Sequence, residues 1–235
     1  LGWVPPEATD QLVAYLHDHG HGRDAIRATG LFTDDLRLLW HGRYVFPYFD
    51  ADGDPAYAIG RCTGGEGGGD AGYDGHPDDF LAGKYAKLAH TNDYVHVDEP
   101  IYGTATLARD GPVIITEGVG DAIRAHEAGY ACLSPVTTTF KHKHREQLRD
   151  ELADTERAVY VVQDAERPNV THTEDADGWD ALGIEQFGAG VQGAVNTAAF
   201  LAEHDIDASL AELPRLGLAK VDLDDYLGEW SDDLD

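Results

Sequence analysis

The stretch PVIITEGVGDA, residues 112–122, opens with a short run of β-branched and apolar residues, and this run ends at the carboxylate of Glu117. AVYVVQDAE, residues 158–166, follows the same pattern and ends on Asp164. Helix-forming sequence comes after each run, and ligands of open α/β sheets bind just beyond the carboxyl ends of the strands. The two stretches therefore predict a group of carboxylates at one edge of a sheet, namely Glu117, Asp121, Asp164 and Glu166.

Carboxylates gathered in a small space need a positive partner, and their hard oxygen atoms favour Mg²⁺ or Mn²⁺. Asp222 and Asp224, in KVDLDDYL near the end of the chain, offer a further pair of the same kind. Taken alone, that last pair is more typical of a solvated face in an acidic protein. From the residues we expect a metal-dependent enzyme that acts on phosphates.

The second half of the chain alternates strand and helix patterns, which predicts an α/β fold with about four parallel strands flanked by helices. A polar insertion, Pro168–Gly188, interrupts the alternation. The predicted elements are strand 112–116, helix 121–128, strand 130–134, helix 142–153, strand 158–163, helix 189–203 and a last strand near 208–213.

The first half predicts a smaller, mixed α+β subdomain. Two short helical patterns occupy residues 8–29, and strands at 41–49 and 55–62 flank ADGD, a strong hairpin signal. A Gly- and Asp-rich segment, 63–79, is typical of a surface loop, and strand character returns over 84–97. We place the domain boundary so that residues 1–108 form the first domain and 109–235 the second.

The charge balance is extreme, with 17 Lys and Arg against 44 Asp and Glu, a formal net charge of −27. Clear periodic patterns and 42% hydrophobic content indicate a folded chain rather than a disordered one. We interpret the acidity as adaptation to a halophilic cytoplasm, where salt screens self-repulsion. The negative charge therefore does not exclude nucleic acid as a partner.

Other composition features narrow the class of protein. No apolar run is long enough to cross a membrane, so no membrane partner is expected. Two cysteines, Cys62 and Cys132, are too few for a disulfide framework and fit a reducing cytoplasm. Among the twelve histidines, His142 and His144 and those of HDHGH at 17–21 lack the spacing of a zinc helix, and we expect them to be surface residues.

At two places the motifs become specific. EGVGDA at 117–122 and QDAE at 163–166 resemble the two signatures of the Toprim domain, which DnaG-type primases, topoisomerases, OLD-type nucleases and recombination mediators share. The rest of the chain resembles the part of DnaG-type primases that precedes and follows those signatures, so the resemblance covers nearly the whole sequence. Its further motifs are GLF at 30–32, GRYVFPYFDADGDPAYAIGR at 42–61, KYAK at 84–87, PIYG at 100–103 and KVDLDDYL at 220–227.

The resemblance implies roles for individual residues. Glu117 matches the family's catalytic glutamate, and Asp164 and Glu166 match acids that hold the catalytic ions. The full set matching metal-binding positions is Glu117, Asp121, Asp164, Glu166, Asp222 and Asp224. The ridge that holds template and nucleotide phosphates is matched by Arg43, Arg61, Lys84 and Tyr85, and Lys87 falls on the same predicted sheet region. These sparse cations are open to a second interpretation, as structural partners of carboxylates.

What the resemblance implies is synthesis of short primers on single-stranded DNA from nucleoside triphosphates, with Mg²⁺ or Mn²⁺ as cofactor. A replicative helicase is a further candidate partner. Two alternatives stay open: a Toprim nuclease that hydrolyses phosphodiesters with the same acids, and a single-strand-binding accessory protein without chemistry. A topoisomerase is not favoured, because no separate tyrosine-bearing cleavage domain is evident.

Overall fold

The computed structural model describes residues 2–5, 8–40, 42–62, 85–88, 98–136, 140–166, 169–174, 180–186, 189–215, 218 and 220–229. At 166, 169–174, 180–186, 189 and 229 it describes the backbone alone. The chain divides into two compact units. Leu1–Tyr48 and Asp54–Pro100 form the first, and Phe49–Gly53 and Ile101–Asp235 form the second.

The first unit contains a four-stranded sheet with its strands in chain order. They are β1 (Gly2–Val4), β2 (Arg43–Phe49), β3 (Pro55–Cys62) and β4 (Tyr85–Ala86). Helices α1 (Ala8–Asp18) and α2 (Arg23–Ala28) lie between β1 and β2, as the helical spacing predicts. Their apolar side chains pack around a small core of Ile26, Phe32 and Leu38. The strand β1 was not predicted from the sequence, because three residues are too few to show a periodicity.

The second unit is built on a parallel sheet. Its elements are a 3₁₀ helix (Thr104–Ala108), β5 (Val113–Ile115), α3 (Val119–Glu127), β6 (Ala131–Leu133), α4 (His142–Leu152), β7 (Val159–Gln163), β8 (Ala165–Glu166), β9 (Asn169–Glu174), β10 (Asp180–Gln186), α5 (Ala189–Ala202), β11 (Ala208–Glu212), β12 (Lys220–Val221) and α6 (Leu223–Glu229). The strand order of the sheet is β11-β7-β5-β6. The predicted α/β fold with a parallel sheet flanked by helices is confirmed.

The core of this unit explains why its strands are so apolar. Val113 and Ile115 of β5, with Val161 of β7, are almost completely buried. Leu148 of α4 and Leu201 of α5 belong to the same core cluster. A strand that helices cover on both faces needs apolar side chains in every direction, and a continuous apolar run supplies them.

Two histidines of this unit are buried or half-buried, and one of them, His144, was predicted to be a surface residue. His144 of α4 is 2% exposed. His126 of α3 is half-buried, and its Nε2 lies 2.9 Å from the Cys132 carbonyl oxygen, within hydrogen-bond distance. Burial lowers the pKa of His126. Both histidines therefore belong to the packing of their helices.

The predicted insertion forms secondary structure of its own. β9 and β10 pair antiparallel, from Asn169 opposite Gln186 to Glu174 opposite Asp180. The sequence predicted this segment only as a polar interruption of the alternation of strands and helices. β8 and β12 form a second antiparallel pair, which places Lys220 opposite Glu166. Within the described ranges, no helix has the length and apolar character needed to cross a membrane.

Candidate active site

Glu117 lies just beyond the end of β5, at the carboxyl edge of the parallel sheet. The neighbouring strand holds its backbone, because the Ser134 hydroxyl donates a hydrogen bond to the Glu117 carbonyl oxygen at 2.8 Å. The N–H of Thr116 donates to the Leu133 carbonyl at 3.0 Å, and the N–H of Val136 donates to Ser134 Oγ at 3.0 Å. These bonds fix the backbone that carries the Glu117 carboxylate, as a preorganised site requires.

Asp121 lies in the first turn of α3, and both of its carboxylate oxygens accept backbone hydrogen bonds. Oδ2 accepts from the N–H of Gly118, and Oδ1 from the N–H of Asp224, each at 3.2 Å. A Cβ at Gly118 would lie 2.5 Å from Asp121 Oδ2, so a side chain at this position would require the carboxylate to shift. Asp121 therefore joins the N-terminus of α3 to that of α6.

Burial and neighbouring charges perturb Asp121 strongly. Asp121 is 8% exposed, and removal from water is the largest of the causes that raise the pKa of its carboxyl group from 3.8 to about 7. The negative charges of Asp164 and Asp222 act in the same direction, while the two backbone hydrogen bonds oppose them. The structure thus brings three predicted acids within electrostatic reach of one another, and such perturbed acids are typical of functional sites.

Asp164 follows β7 directly and is paired with a lysine. Its Oδ2 lies 2.7 Å from the Nζ of Lys220, with the Asp164 side chain 15% exposed and that of Lys220 50% exposed. The pairing of β12 with β8 fixes the backbone position of Lys220 opposite Glu166, whose own side chain lies outside the described part. An ammonium group therefore neutralises part of this acidic site from within the chain.

Asp222 and Asp224 lie at the start of α6. Asp222 Oδ1 accepts a hydrogen bond from the N–H of Asp225 at 2.8 Å, which caps the helix. Burial, followed by the charge of Asp222, raises the pKa of Asp224. Asp224 Oδ1 also lies 3.9 Å from Arg124 Nε on α3. Asp222 is therefore placed toward Asp121, whereas Asp224 lies beside a guanidinium group.

The carboxylates do not by themselves complete a metal site. Among the residues that the structure describes, no three His, Cys, Asp or Glu side chains lie close enough together to hold one ion. The Glu166 side chain, a predicted ligand, falls outside that description. The ligand set predicted from the sequence therefore stays a prediction.

Two residues at this edge were missed by the sequence reasoning, Gln163 and Gly190. Within the described part of the chain, the buried Oε1 of Gln163 has no hydrogen-bond partner. A Cβ built on Gly190, at the start of α5, would lie 3.2 Å from Glu117 Oε2, 3.4 Å from Gln163 Oε1 and 3.8 Å from the Asp164 carbonyl oxygen. Three oxygen acceptors therefore lie within 4 Å of the position that a Cβ of residue 190 would take, and oxygen atoms are the ligands that a hard cation prefers. The only sequence signal was a polar Gln at the end of an apolar strand.

Two of the predicted template-binding cations are engaged inside the first unit. Arg43 is 1% exposed and donates from Nη1 to the Gly60 carbonyl oxygen at 3.3 Å. Desolvation lowers the pKa of Arg43. Lys87 forms an ion pair with Glu99, which is 3% exposed as a side chain. Lys87 thus pairs with a carboxylate, as the second interpretation describes, whereas Arg43 contacts a backbone carbonyl.

Arg61 and Tyr85 lie opposite each other on β3 and β4. The Arg61 guanidinium carbon is 5.8 Å from the centroid of the Tyr85 ring, a cation–π arrangement. Both side chains are partly exposed. A cation beside an aromatic ring is the combination that proteins use to contact phosphates and to stack bases of single strands. Lys84, the remaining predicted residue, lies outside the described residues.

Comparisons of sequence give no match: no family model and no curated protein matches the chain. Comparisons of structure give several. The RNA polymerase domain of Mycobacterium tuberculosis primase DnaG has a TM-score of 0.67 and 17% identity, over 99% of this chain and 66% of that one. The zinc-binding and RNA polymerase domains of Aquifex aeolicus primase give 0.67 and 17%, over 99% of this chain and 48% of that one.

A DnaG primase catalytic domain bound to single-stranded DNA is also similar, with a TM-score of 0.62 and 16% identity, over 99% of this chain and 62% of that one. The chain thus spans less than two thirds of the length of these proteins. Identities this low establish the fold alone. The chain has the fold of the DnaG-type primase catalytic core.

Proposed function

We propose that this chain is a primase-like nucleotidyltransferase that makes short primers on single-stranded DNA with Mg²⁺ or Mn²⁺. The observation that carries the proposal is the convergence of acids at the carboxyl edge of the parallel sheet, in a chain with the primase core fold. In this proposal residues 109–235 are a Toprim catalytic domain, and residues 1–108 carry the template and nucleotide contacts. Free Cys62 and Cys132 are in keeping with a reducing cytoplasm.

Different residues have different roles in the proposed reaction. When bound, Mg²⁺ or Mn²⁺ aligns a nucleoside triphosphate with a 3′-hydroxyl and neutralises charge on the transferring phosphoryl group. Glu117, Asp164 and Glu166 are the groups that hold the cation, and Asp121 fixes the helix that carries the late acids. Arg61 and Tyr85 contribute a phosphate partner and a stacking surface to the template.

Primer synthesis by two variants tests the proposal. Glu117→Gln and Asp164→Asn each keep the shape of the side chain and remove its charge, so we expect primer synthesis to be lost while the circular-dichroism spectrum stays unchanged. Glu203→Gln and Asp207→Asn, at exposed positions, are matched controls and should retain full activity. The assay incubates labelled single-stranded DNA with nucleoside triphosphates and Mn²⁺ in molar KCl. Full activity in both site variants would overturn the proposal, and shortened rather than extended strands would indicate a nuclease.

One observation favours a second candidate, a single-strand-binding accessory protein. The described carboxylates do not meet in a group of three, and Lys220 already neutralises Asp164. Such a protein would bind single-stranded DNA equally well with EDTA or Mn²⁺ and would extend nothing. Binding that is insensitive to Mn²⁺, measured by fluorescence anisotropy alongside the primer assay, would favour this candidate.

A further inference from the structure

Divalent metal ions of the Mg²⁺ class bind oxygen ligands in nearly octahedral arrangements, and the carboxylates described at this edge do not supply a group of three. Neutral oxygen atoms of the protein are therefore the natural place to look for the missing ligands. The inference below rests on the proposed function, because it concerns the same metal site.

Gln163 offers such an oxygen. It is the last residue of β7 and directly precedes Asp164, so the strand that carries a predicted ligand also carries the glutamine. Within the described residues, its Oε1 is buried and accepts no hydrogen bond. A buried carbonyl group without a partner destabilises a fold, so a native protein is expected to supply one.

The surroundings of Gln163 contain further acceptors. The ideal Cβ position of Gly190 lies 3.4 Å from Gln163 Oε1 and 3.2 Å from Glu117 Oε2, with the Asp164 carbonyl oxygen at 3.8 Å. None of these atoms can donate a hydrogen bond, so Glu117 Oε2 and the Asp164 carbonyl do not supply the partner that Gln163 Oε1 lacks within the described residues. A cation bound beside them would supply it, and the absence of a side chain at Gly190 leaves room there.

We propose that Gln163 is a further metal-binding residue of this site, giving its Oε1 as a neutral ligand beside the Glu117 carboxylate. The competing arrangement has the amide reversed, so that Nε2 donates to Glu117, since the two ends of an amide are assigned from their partners. Gln163 would then position Glu117 and would not touch the metal. The two arrangements respond in opposite ways to a glutamate at this position.

Mn²⁺ binding to the full chain separates them, measured by the electron paramagnetic resonance signal of free Mn²⁺ in molar KCl without nucleotide or DNA. Gln163→Leu removes the oxygen, and we expect about tenfold weaker binding. Gln163→Glu keeps the oxygen, and we expect binding at least as tight as that of the unmodified protein. Gly190→Ala fills the space and should weaken binding, whereas Gln192→Leu, on the exposed face of α5, should leave it unchanged.

Two results would overturn the inference: a Gln163→Leu variant that binds Mn²⁺ like the unmodified protein, or a Gln163→Glu variant as weak as Gln163→Leu. Because Gln163→Glu preserves the size of the side chain, weaker Mn²⁺ binding by this variant overturns the inference even if the leucine variant unfolds. The Glu117→Gln variant distinguishes a failure of this inference from a failure of the proposed function. If Glu117→Gln weakens Mn²⁺ binding and Gln163→Leu does not, only the inference is wrong. If neither the unmodified protein nor Glu117→Gln binds Mn²⁺, both are overturned.

Discussion

Replacing Asp121 by asparagine is expected to change how the stability of the metal-free protein depends on pH. Asp121 is 8% exposed, and desolvation is the largest cause that raises its pKa from 3.8 to about 7. The folded state therefore holds the proton more tightly than the unfolded state does. The favourable contribution is complete below pH 3.8 and is lost as the pH rises to about 7, because the unfolded chain ionises first.

The size of the effect follows from the shift. A difference between 3.8 and about 7 corresponds to about 4 kcal/mol of unfolding free energy at full ionisation. About 3 kcal/mol of that loss falls between pH 5 and pH 8. The amide of the Asp121→Asn variant does not ionise, so the variant lacks this part of the pH dependence. It also loses one of the two hydrogen bonds from Gly118 and Asp224, an offset of about 1 kcal/mol that is the same at every pH.

The assay is urea unfolding followed by far-ultraviolet circular dichroism, in molar KCl with EDTA, at several pH values from 5 to 8. Because desolvation rather than long-range charge is the main cause of the shift, molar salt does not remove it. Asp110→Asn removes the same formal charge from an exposed loop and controls for net charge. Parallel curves for the unmodified protein and Asp121→Asn would refute the assignment of a desolvated carboxyl group to this helix start.

Three further outcomes are expected, two from the structure and one from the net charge of the chain. Gly103→Ala should destabilise the second unit by about 3 kcal/mol in urea unfolding, because Gly103 has φ of 94° and an added Cβ would clash with the Cys132 carbonyl oxygen. Gly111→Ala, with φ of 86° and no atom within 4 Å, should lose only about 1 kcal/mol, and equal losses would contradict the clash. Lys220→Met should tighten Mn²⁺ binding about fivefold, since the ammonium group at 2.7 Å from Asp164 no longer competes with the ion. Lys143→Met makes the same charge change at an exposed site and should leave the affinity unchanged. Unchanged affinity in both variants would show that Lys220 does not compete with the ion. The net charge of −27 predicts that the urea midpoint rises steadily with KCl up to molar concentrations, and a midpoint independent of salt would contradict the proposed halophilic adaptation.

The parallel sheet was predictable because its strands are short, apolar in every direction and separated by helices of regular period. Val113–Ile115 and Val159–Gln163 both lie inside the predicted ranges. The hairpin of β9 and β10 was not predicted, because strand formation depends more on its context than helix formation does, and the sequence marked this segment only as a polar interruption.

The sequence by itself determined which acids lie at the ends of strands, because chain order and strand direction fix that edge. It did not determine what surrounds them. Lys220 reaches Asp164 only because β12 pairs with β8, and Gln163 lies near Glu117 because β7 pairs in parallel with β5, in the register that sets Val161 beside Ile115. Partners distant in the chain meet through packing, and burial then sets their charge states, as the raised pKa of Asp121 illustrates. The local sequence specifies neither the distances between these groups nor how far each is removed from water, so the tertiary structure decides both.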